Sequence, residues 1–324
     1  MRRRDLLRSC AAAVLCGLAS HRAAAQAETW PNRPVRLIVP YGPEGGSDMI
    51  ARLWSEKLER AFGQPFAIDN RPGAGGMLGA EAGAKAVGDG YALLLTPNGP
   101  LTILPHLRKT SYDPQQDLLP VARVGDFVCG FVIDAALGIK TFGEMLAYAR
   151  ANPGRLSFGS SGVGSGNHLR LEMLKYRTGI DIAHVAYRGG ADALNDLLAG
   201  KIQMMNEINT LTHVRDGKLV LLNLNHPARS SDWPDTPTLS ELGYAGADEP
   251  IWYSIFAPAG TPKPIIAKLN AKIAEIVKSA DMQPRLHALS IDVPIQTPDE
   301  IGSFLAEDSH RNGDLIRATK IRLE

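Results

Sequence analysis

Short apolar runs alternate along the chain with longer segments in which apolar residues recur at helical spacing. The first run, Val35–Val39, is followed by a segment at 47–62 whose apolar side chains share one helical face. A second long helix is predicted at 262–279, and residues 226–250 are predicted to form a loop because they are rich in Pro, Asp and Gly. Strands that alternate with amphipathic helices are typical of an α/β fold with mostly parallel sheets. Further strands are predicted at 66–69, 91–96, 121–133, 156–158, 182–187, 202–206, 219–224 and 251–257.

Capping residues mark several of the predicted helix ends. Ser47 or Asp48 is expected to cap the start of the first helix, and Gly63 is expected to end it. Thr141 and Glu144 have the spacing of a capping box, in which each side chain accepts a hydrogen bond from the other residue's backbone. These signals support the helical interpretation of both segments.

Glycine-rich turns lie at four places between a predicted strand and a predicted helix, at 42–47, 73–76, 159–166 and 189–190. In open α/β sheets, ligands bind at the carboxyl ends of strands. A helix amino terminus there offers free N–H groups and a positive dipole, so it favours anions. Glycine lets the backbone approach a ligand closely. Four such turns suit a small anion held from two sides, although at least one is expected to be only a tight connection.

Length and charge narrow the class of protein. The chain has 324 residues, enough for two domains, and its hydrophobic content of 44% is ordinary for a globular protein. Its net charge of +1 and its 6% aromatic content give no basic, aromatic surface of the kind that binds nucleic acid. We therefore expect no nucleic-acid partner.

Residues 1–27 have the three-part pattern of an export signal. MRRRDLLRSC is positively charged, AAAVLCGLAS is a short apolar core, and HRAAAQA ends in small residues. The apolar run is well below the roughly 20 residues that a membrane-spanning helix needs. Removal of residues 1–27 would leave Cys129 as the one cysteine of the mature chain, so no internal disulfide is expected.

Familiar catalytic and cofactor motifs are absent from the sequence. The dinucleotide-binding pattern lacks its third glycine, because Leu78 stands there in GAGGMLG and Asn167 in GVGSGN. No GxxxxGK[ST] or GxSxG motif is present, and the histidines have no metal-ligand spacing. His168 is expected at a helix surface or cap, and His184 is expected to be packed in a strand. We predict no catalytic residue, no cofactor and no metal site.

Several segments together resemble successive blocks of one family. They are WPNRPVRLIVPYGPEGGSDMIAR, IDNRPGAGGMLGAEAGAKAVGDGYALLLT, YDPQQDLLPVARV, FGSSGVGSGNHL, AYRGGADALNDLLAGKI, WPDTPTLSELGY and FAPAGTPKPIIAKLNAKI. The family is the Bug family of extracytoplasmic solute receptors, which is similar to the tricarboxylate-binding TctC proteins of tripartite tricarboxylate transporters. The resemblance implies a periplasmic binding protein of the Venus flytrap type, with two α/β domains that close on a cleft. It also implies small carboxylate ligands, held largely by backbone N–H groups, hydroxyl groups and water.

The resemblance also implies a division of the chain. Domain 1 is expected to comprise residues 28–121 and 245–324, so it is discontinuous, and domain 2 is expected to comprise 122–244. The two crossings are expected near 121–125 and 245–253.

The family motifs point to residues that line the cleft. Arg188 either pairs with a ligand carboxylate or stays solvated, and Asp48 either caps its helix or contacts the ligand. From domain 1 the motifs implicate Tyr41, Gly45, Gly46, Ser47, Asn70, Ala74, Gly75, Gly76 and Asn98. From domain 2 they implicate Ser160, Ser161, Gly164, Ser165, Tyr187, Arg188 and Gly189.

The segment at 202–209 departs from the family pattern. The family commonly has Val-Asp, then an apolar pair ending in Phe, then Asp or Ser, whereas this chain has Gln203, Asn206 and Glu207. If Asn206 and Glu207 face the cleft, their acceptor atoms disfavour a second ligand carboxylate and favour an amine, a hydroxyl or a neutral ring. Alternatively, these side chains bond only each other or the backbone.

The sequence therefore predicts a periplasmic receptor that captures a small carboxylate or a related metabolite and closes for delivery. Its expected partner is the membrane part of a tripartite tricarboxylate transporter or a sensor protein. An alternative is a secreted α/β hydrolase that uses Ser161 or Ser165, with His168 as the base. A second alternative is a receptor that feeds a signalling protein.

Overall fold

The computed structural model describes residues 29–244 and 249–319. The strands are β1 (Val35–Val39), β2 (Phe66–Asn70), β3 (Ala92–Pro97), β4 (Leu118–Phe127), β5 (Val132–Asp134), β6 (Ser157–Ser160), β7 (Ala183–Ala186), β8 (Met204–Met205), β9 (Leu219–Leu221), β10 (Ile251–Pro258) and β11 (Ile291–Asp292). The helices are α1 (Gly46–Phe62), α2 (Met77–Ala84), α3 (Leu104–Leu107), α4 (Phe142–Ala151), α5 (Gly166–Thr178), α6 (Gly190–Leu198), α7 (Leu211–Arg215), α8 (Lys263–Val277), α9 (Gln283–Ala288) and α10 (Pro298–Thr319). Short helical turns lie at Ala74–Gly76, Gly99–Ile103, Ala135–Leu137 and Ile208–Thr210.

The first sheet has the strand order β11-β4-β10-β3-β1-β2. Its β1 pairs in parallel with β2 and β3, whereas β10 pairs antiparallel with both β3 and β4. The α/β fold class is confirmed, but this sheet is mixed and not mostly parallel. The reason is that β10 and β11 come from the carboxyl-terminal part of the chain and enter the sheet in the opposite direction.

The second sheet has the order β7-β6-β8-β5-β9 and is also mixed, because β5 runs antiparallel to β8 and β9. The apolar segment at 121–133 is split between β4 in the first sheet and β5 in the second. The predicted boundary at residue 121 falls inside β4, which pairs with β10 as far as Phe127. The chain thus changes sheets between Phe127 and Val132, while the division into two domains stays a prediction.

Helix α1 begins one residue earlier than predicted. Its N-cap is Gly45, in an extended conformation with no side-chain cap, and its C-cap is Gly63, which has a φ of 70°. The expectation that Ser47 or Asp48 caps the start was therefore wrong. The Asp48 carboxylate instead accepts a hydrogen bond from the Glu44 backbone N–H at 3.0 Å, so it holds the glycine turn in shape.

The predicted capping box at the start of α4 is confirmed. Thr141 Oγ1 accepts from the Glu144 backbone N–H, and Glu144 Oε2 accepts from the Thr141 backbone N–H, both at 3.2 Å. Two orphan donors of the first helical turn are satisfied reciprocally in this way.

One apolar core extends across both sheets. It joins Val35 and Val124 of the first sheet to Val132 and Met205 of the second, and it includes Ile208. A further cluster lies on the other face of the second sheet, around Phe131 and Phe158. Because buried apolar area is what stabilises a fold, this continuity ties the two sheets together near the change of sheets.

None of the helices in the described part of the chain combines the length and the apolar character needed to cross a bilayer. The predicted export signal at 1–27 lies outside the described residues.

Two histidines stack where α5 begins beside β6 and β7. The rings of His168 and His184 have centroids 4.0 Å apart and planes inclined by 14°. His184 Nε2 lies 2.6 Å from Ser160 Oγ, and His168 Nδ1 accepts from the Gly164 backbone N–H at 3.1 Å. His168 is 5% exposed, so the expectation of a surface position was wrong, but its bond to the Gly164 N–H just before α5 agrees with the alternative expectation of a capping role. Burial lowers the pKa of each imidazole to about 4, which keeps both rings neutral at pH 7.

We expect Trp54→Ala to lower the free energy of unfolding by about 3–5 kcal/mol. The indole is fully buried, and its Nε1–H donates to the Val124 carbonyl oxygen at 2.8 Å, so the change leaves both a cavity and an unsatisfied acceptor. Urea denaturation measures the effect. The control is Val87→Ala, at a position 74% exposed, with an expected change within about 0.5 kcal/mol. A loss below about 1 kcal/mol for Trp54→Ala would contradict the packing described here.

The histidine stack predicts a loss of stability as the pH falls below 6.5. Because the folded pKa of His168 and His184 lies below the ordinary value of 6.5, the unfolded chain binds protons first, and the free energy of unfolding falls as the pH decreases toward about 4. Urea denaturation between pH 7 and pH 5 measures this slope. We expect a shallower slope in His184→Phe and an unchanged slope in His310→Gln, at a side chain 76% exposed. Equal slopes in the wild type and His184→Phe would contradict the assignment of this pH dependence to the buried histidines.

Candidate functional site

The four glycine-rich turns meet in pairs between the two sheets. The turn at 42–47 faces the turn at 189–190, where a Cβ placed on Gly45 would lie 3.4 Å from the Gly190 nitrogen. The turn at 73–76 faces the turn at 159–166, where a Cβ on Gly75 would lie 2.2 Å from the Val163 carbonyl oxygen. The second approach needs glycine, since no side chain fits between Gly75 and the Val163 carbonyl oxygen, whereas a Cβ on Gly45 would only make van der Waals contact. The sequence placed these turns separately, and the fold brings them to one cleft.

Tyr41 connects the first two turns. Its side chain is 4% exposed, its hydroxyl donates to the Gly75 carbonyl oxygen at 2.9 Å, and its own carbonyl oxygen accepts from Asn70 Nδ2 at 2.9 Å. Burial raises the pKa of Tyr41 far above its usual value, and the nearby charge of Glu207 acts in the same direction. Tyr41 is therefore a neutral hydroxyl that shapes the site.

The other predicted residues of the first sheet lie around this pair. Ser47 Oγ donates to the Tyr253 hydroxyl at 3.2 Å. Ala74 has a φ of 50° in the left-handed turn that ends at Gly76. Asn98 is 8% exposed, and its Oδ1 has no hydrogen-bond partner among the described residues. A Cβ on Gly166 would lie 2.6 Å from that oxygen, so Asn98 faces the start of α5 across the cleft.

Ser160 and Ser165 form hydrogen bonds with backbone groups in and before the first turn of α5. Ser165 is its N-cap and accepts from the His168 backbone N–H, and Ser165 Oγ also lies 2.6 Å from the Gly162 carbonyl oxygen. Ser160 Oγ accepts from the Gly162 N–H at 3.1 Å, and Gly164 has a positive φ of 83°. The alternative expectation paired Ser165 with His168 as a catalytic base. In the structure Ser165 instead caps α5, and His168 Nδ1 accepts from the Gly164 backbone N–H.

Glu207 and Asn206, adjacent in sequence, have different surroundings. Glu207 Oε1 accepts from Ser161 Oγ at 2.5 Å and from Asn167 Nδ2 at 3.0 Å, so Glu207 lies behind Ser161 at the inner end of the cleft. Asn206 is fully buried, and its Nδ2 donates to Asn225 Oδ1 at 2.8 Å. Asn206 thus belongs to a buried amide network and does not line the cleft, which is the alternative expectation for that residue.

Burial raises the pKa of the Glu207 carboxyl group, although hydrogen bonds from Ser161, Asn167 and the Ile208 backbone favour its ionised form. The side chain is 6% exposed. Asn167 was missed by the sequence reasoning, which considered it only as the residue in place of a third glycine. The feature of the sequence that could have identified Asn167 is its position in the first turn of α5, where amide side chains often hydrogen-bond to neighbouring groups.

A cavity of about 340 Å³ opens between the turns at 73–76 and 159–166. Two exposed arginines, Arg108 and Arg188, face it from opposite sheets, and no acidic side chain of the described residues lines it. Neither guanidinium forms an ion pair within the described ranges 29–244 and 249–319. Arg108 was missed, because an isolated arginine after a short helix carries no sequence signal. The lining comprises Gly73, Ala74, Gly75, Arg108, Ser161, Gly162, Val163, Tyr187 and Arg188.

Several predicted residues surround this cavity without lining it. Gly189 is buried against the turn at 42–47, where its Cβ would lie 3.5 Å from the Gly42 nitrogen. By contrast, Tyr187 lines the cavity, and its hydroxyl donates to Asp196 Oδ2 at 2.9 Å. Within the described residues, no group of three or more His, Cys, Asp or Glu side chains is placed to hold a metal ion. The residues outside the lining are Tyr41, Gly45, Gly46, Ser47, Asn70, Gly76, Asn98, Ser160, Gly164, Ser165, Gly189, Asn206 and Glu207.

Comparison with known proteins identifies relatives that match most of this chain. Protein BugT of Bordetella pertussis is 34% identical over 315 residues, which cover 96% of this chain and 97% of that protein. A structure of an R. palustris protein with adipate is 29% identical, with a TM-score of 0.86, and the match covers 90% of this chain and 99% of that one. MatC from Rhodopseudomonas palustris with bound malate is 30% identical, with a TM-score of 0.84, over 89% of this chain and 100% of that one.

The family model described as tripartite tricarboxylate transporter family receptor, TctC, matches residues 50–321. The two-sheet α/β architecture and the cleft between the sheets agree with a binding protein. The chain therefore belongs to the TctC family of tripartite tricarboxylate transporter receptors, which are periplasmic solute-binding proteins and not enzymes.

Proposed function

We propose that this protein captures a small carboxylate in the cleft between its two sheets and closes around it for delivery to a membrane partner. The observation that carries the proposal is the cavity faced by Arg108 and Arg188, with Ser161 at its wall and no acidic side chain in its lining. Arginine binds carboxylates through two parallel N–H donors, so one arginine from each side suits a small anion. Adipate and malate, held by two similar proteins, are both of this class.

Backbone N–H groups add further donors for an anion beside the two arginines. The turn at 73–76 has positive φ at Ala74, Gly75 and Gly76, and successive N–H groups in such a conformation form an anion-binding concavity. Ser161, at the cavity wall, precedes the start of α5, whose dipole favours negative charge. The proposed site therefore binds charge with few side chains, which is why its signature in the sequence is mostly glycine and serine.

Closure follows from the position of the site. Arg108 and the turn at 73–76 belong to the first sheet's side of the cleft, and Ser161 and Arg188 belong to the second sheet's side. A solute that contacts both sides binds the closed form more tightly than the open form, so it shifts the equilibrium toward closure. The division into 28–121 with 245–324 and 122–244 is part of this proposal, with the hinge near the change of sheets.

The proposed partner is the membrane part of a tripartite tricarboxylate transporter, which would read the closed form. Export by the signal at 1–27 is part of the same proposal. Deletion of the gene should abolish uptake of the solute. If uptake persists while a transcriptional response to the solute is lost, the partner is a sensor protein instead.

The direct test is calorimetric titration of the refolded mature protein with mono-, di- and tricarboxylates, because refolding removes captured solute. We expect one carboxylate class to bind and to raise the free energy of unfolding by about 2.7 kcal/mol at a hundred times its dissociation constant. Nuclear magnetic resonance of the recovered solute should show it chemically unchanged. Binding of neutral or cationic solutes alone, or conversion of the solute, would overturn the proposal.

Removing either arginine charge should weaken binding. We expect Arg188→Gln and Arg108→Gln each to raise the Kd of the bound carboxylate about tenfold, because a hydrogen bond to a charged group contributes about 1.5–3 kcal/mol. Arg150→Gln, at an exposed position at the end of α4, is the matched control with an expected unchanged Kd. Unchanged binding in both cavity variants would show that the anion lies elsewhere.

A further inference from the structure

The Glu207 carboxyl group lies where helices from both sheets begin. A Cβ on Gly46, the first residue of α1, would lie 2.8 Å from Glu207 Oε2. A Cβ on Gly190, the first residue of α6, would lie 3.0 Å from Oε1. Asn167, in the first turn of α5, donates its Nδ2–H to Oε1 at 3.0 Å. Three helix amino termini therefore converge on one carboxyl group of the chain itself.

This position is the one expected for an anion held from two sides. Helix amino termini favour negative charge, and α1 comes from the first sheet while α5 and α6 come from the second. The groups that hydrogen-bond to Glu207 are all donors: the Ser161 hydroxyl, the Asn167 amide and the Ile208 backbone N–H. Both Tyr41 and Tyr253 have a raised pKa, caused first by burial and then by the charge of Glu207. The inner end of the cleft thus already holds a carboxyl group of the chain itself, with these donors bound to it.

Ser161 connects this buried anion to the open cavity. Its side chain lines the cavity that Arg108 and Arg188 face, and the same hydroxyl donates to Glu207 Oε1 at 2.5 Å. A solute in the cavity therefore has positive charge at the arginine end and a resident acid directly behind Ser161. Because the Ser161 hydroxyl donates its one proton to Glu207, it presents only acceptor lone pairs to the solute. A solute carboxylate directed toward Ser161 would therefore find no donor in that hydroxyl.

We propose that Glu207 supplies the carboxylate that a second acidic group of the solute would otherwise supply, so that this receptor selects monocarboxylates over dicarboxylates of the same length. This inference rests on the proposed function, because it assumes that one carboxylate binds at Arg108 and Arg188. The opposite end of the solute is neutral or carries a hydrogen-bond donor, which an acceptor behind Ser161 favours.

The test is a matched series of six-carbon and four-carbon solutes titrated calorimetrically into the mature protein. The series compares hexanoate, 6-aminohexanoate and adipate, and then butanoate, 4-aminobutanoate and succinate. We expect the wild type to bind the tightest monocarboxylate of a length at least tenfold more tightly than the dicarboxylate. In Glu207→Gln, which replaces one carboxyl oxygen with an amide donor to Ser161 and keeps the shape, we expect that ratio to fall at least tenfold. Glu59→Gln, on the exposed face of α1, is the control with an unchanged ratio.

The outcomes separate the two proposals. If adipate or succinate binds the wild type as tightly as its monocarboxylate partners, and Arg188→Gln weakens it, the receptor function stands and the role of Glu207 is overturned. If no member of either series binds but a tricarboxylate does, the receptor function stands and the role of Glu207 is overturned. If no carboxylate of any class binds, both proposals are overturned. Thermal melts report whether Glu207→Gln folds, and if it does not, the wild-type selectivity alone decides the inference.

Discussion

The burial of one carboxyl group between helix amino termini is the constraint on which the cleft depends. Glu207 is 6% exposed, and moving an acid out of water is costly unless donors surround it. Ser161, Asn167 and the Ile208 backbone are those donors. Gly46 and Gly190 belong to helices on different sheets, and both lie against this carboxyl group, so it is packed where the two sides of the cleft meet.

The glycines follow from the same constraint. The turns can meet across the cleft only where their backbones approach more closely than side chains allow, as Gly75 and Val163 do. A methyl group at Gly46 would collide with the Glu207 carboxyl group. Glycine at these turns therefore serves two requirements, since it admits a buried acid on one side and leaves backbone N–H groups for a solute on the other.

Behind the cleft, buried polar groups are satisfied in small networks. His168 and His184 stack as neutral rings, and Asn206 donates to Asn225. Networks of this kind position the start of α5 and the end of β8 rigidly, because each partner fixes the next. The cleft is consequently shaped by residues that never contact the solute.

The sequence by itself determined the α/β class, the main helices, the capping box at Thr141 and the four glycine turns, because periodicity and capping are local properties. Family motifs likewise located Ser161 and Arg188 near the cleft. Only the tertiary structure decided that the turns meet in pairs, that Arg108 faces Arg188, and that Glu207 enters the cleft while its neighbour Asn206 does not. Successive residues leave a chain in different directions, so which one reaches a site depends on contacts that are distant in sequence.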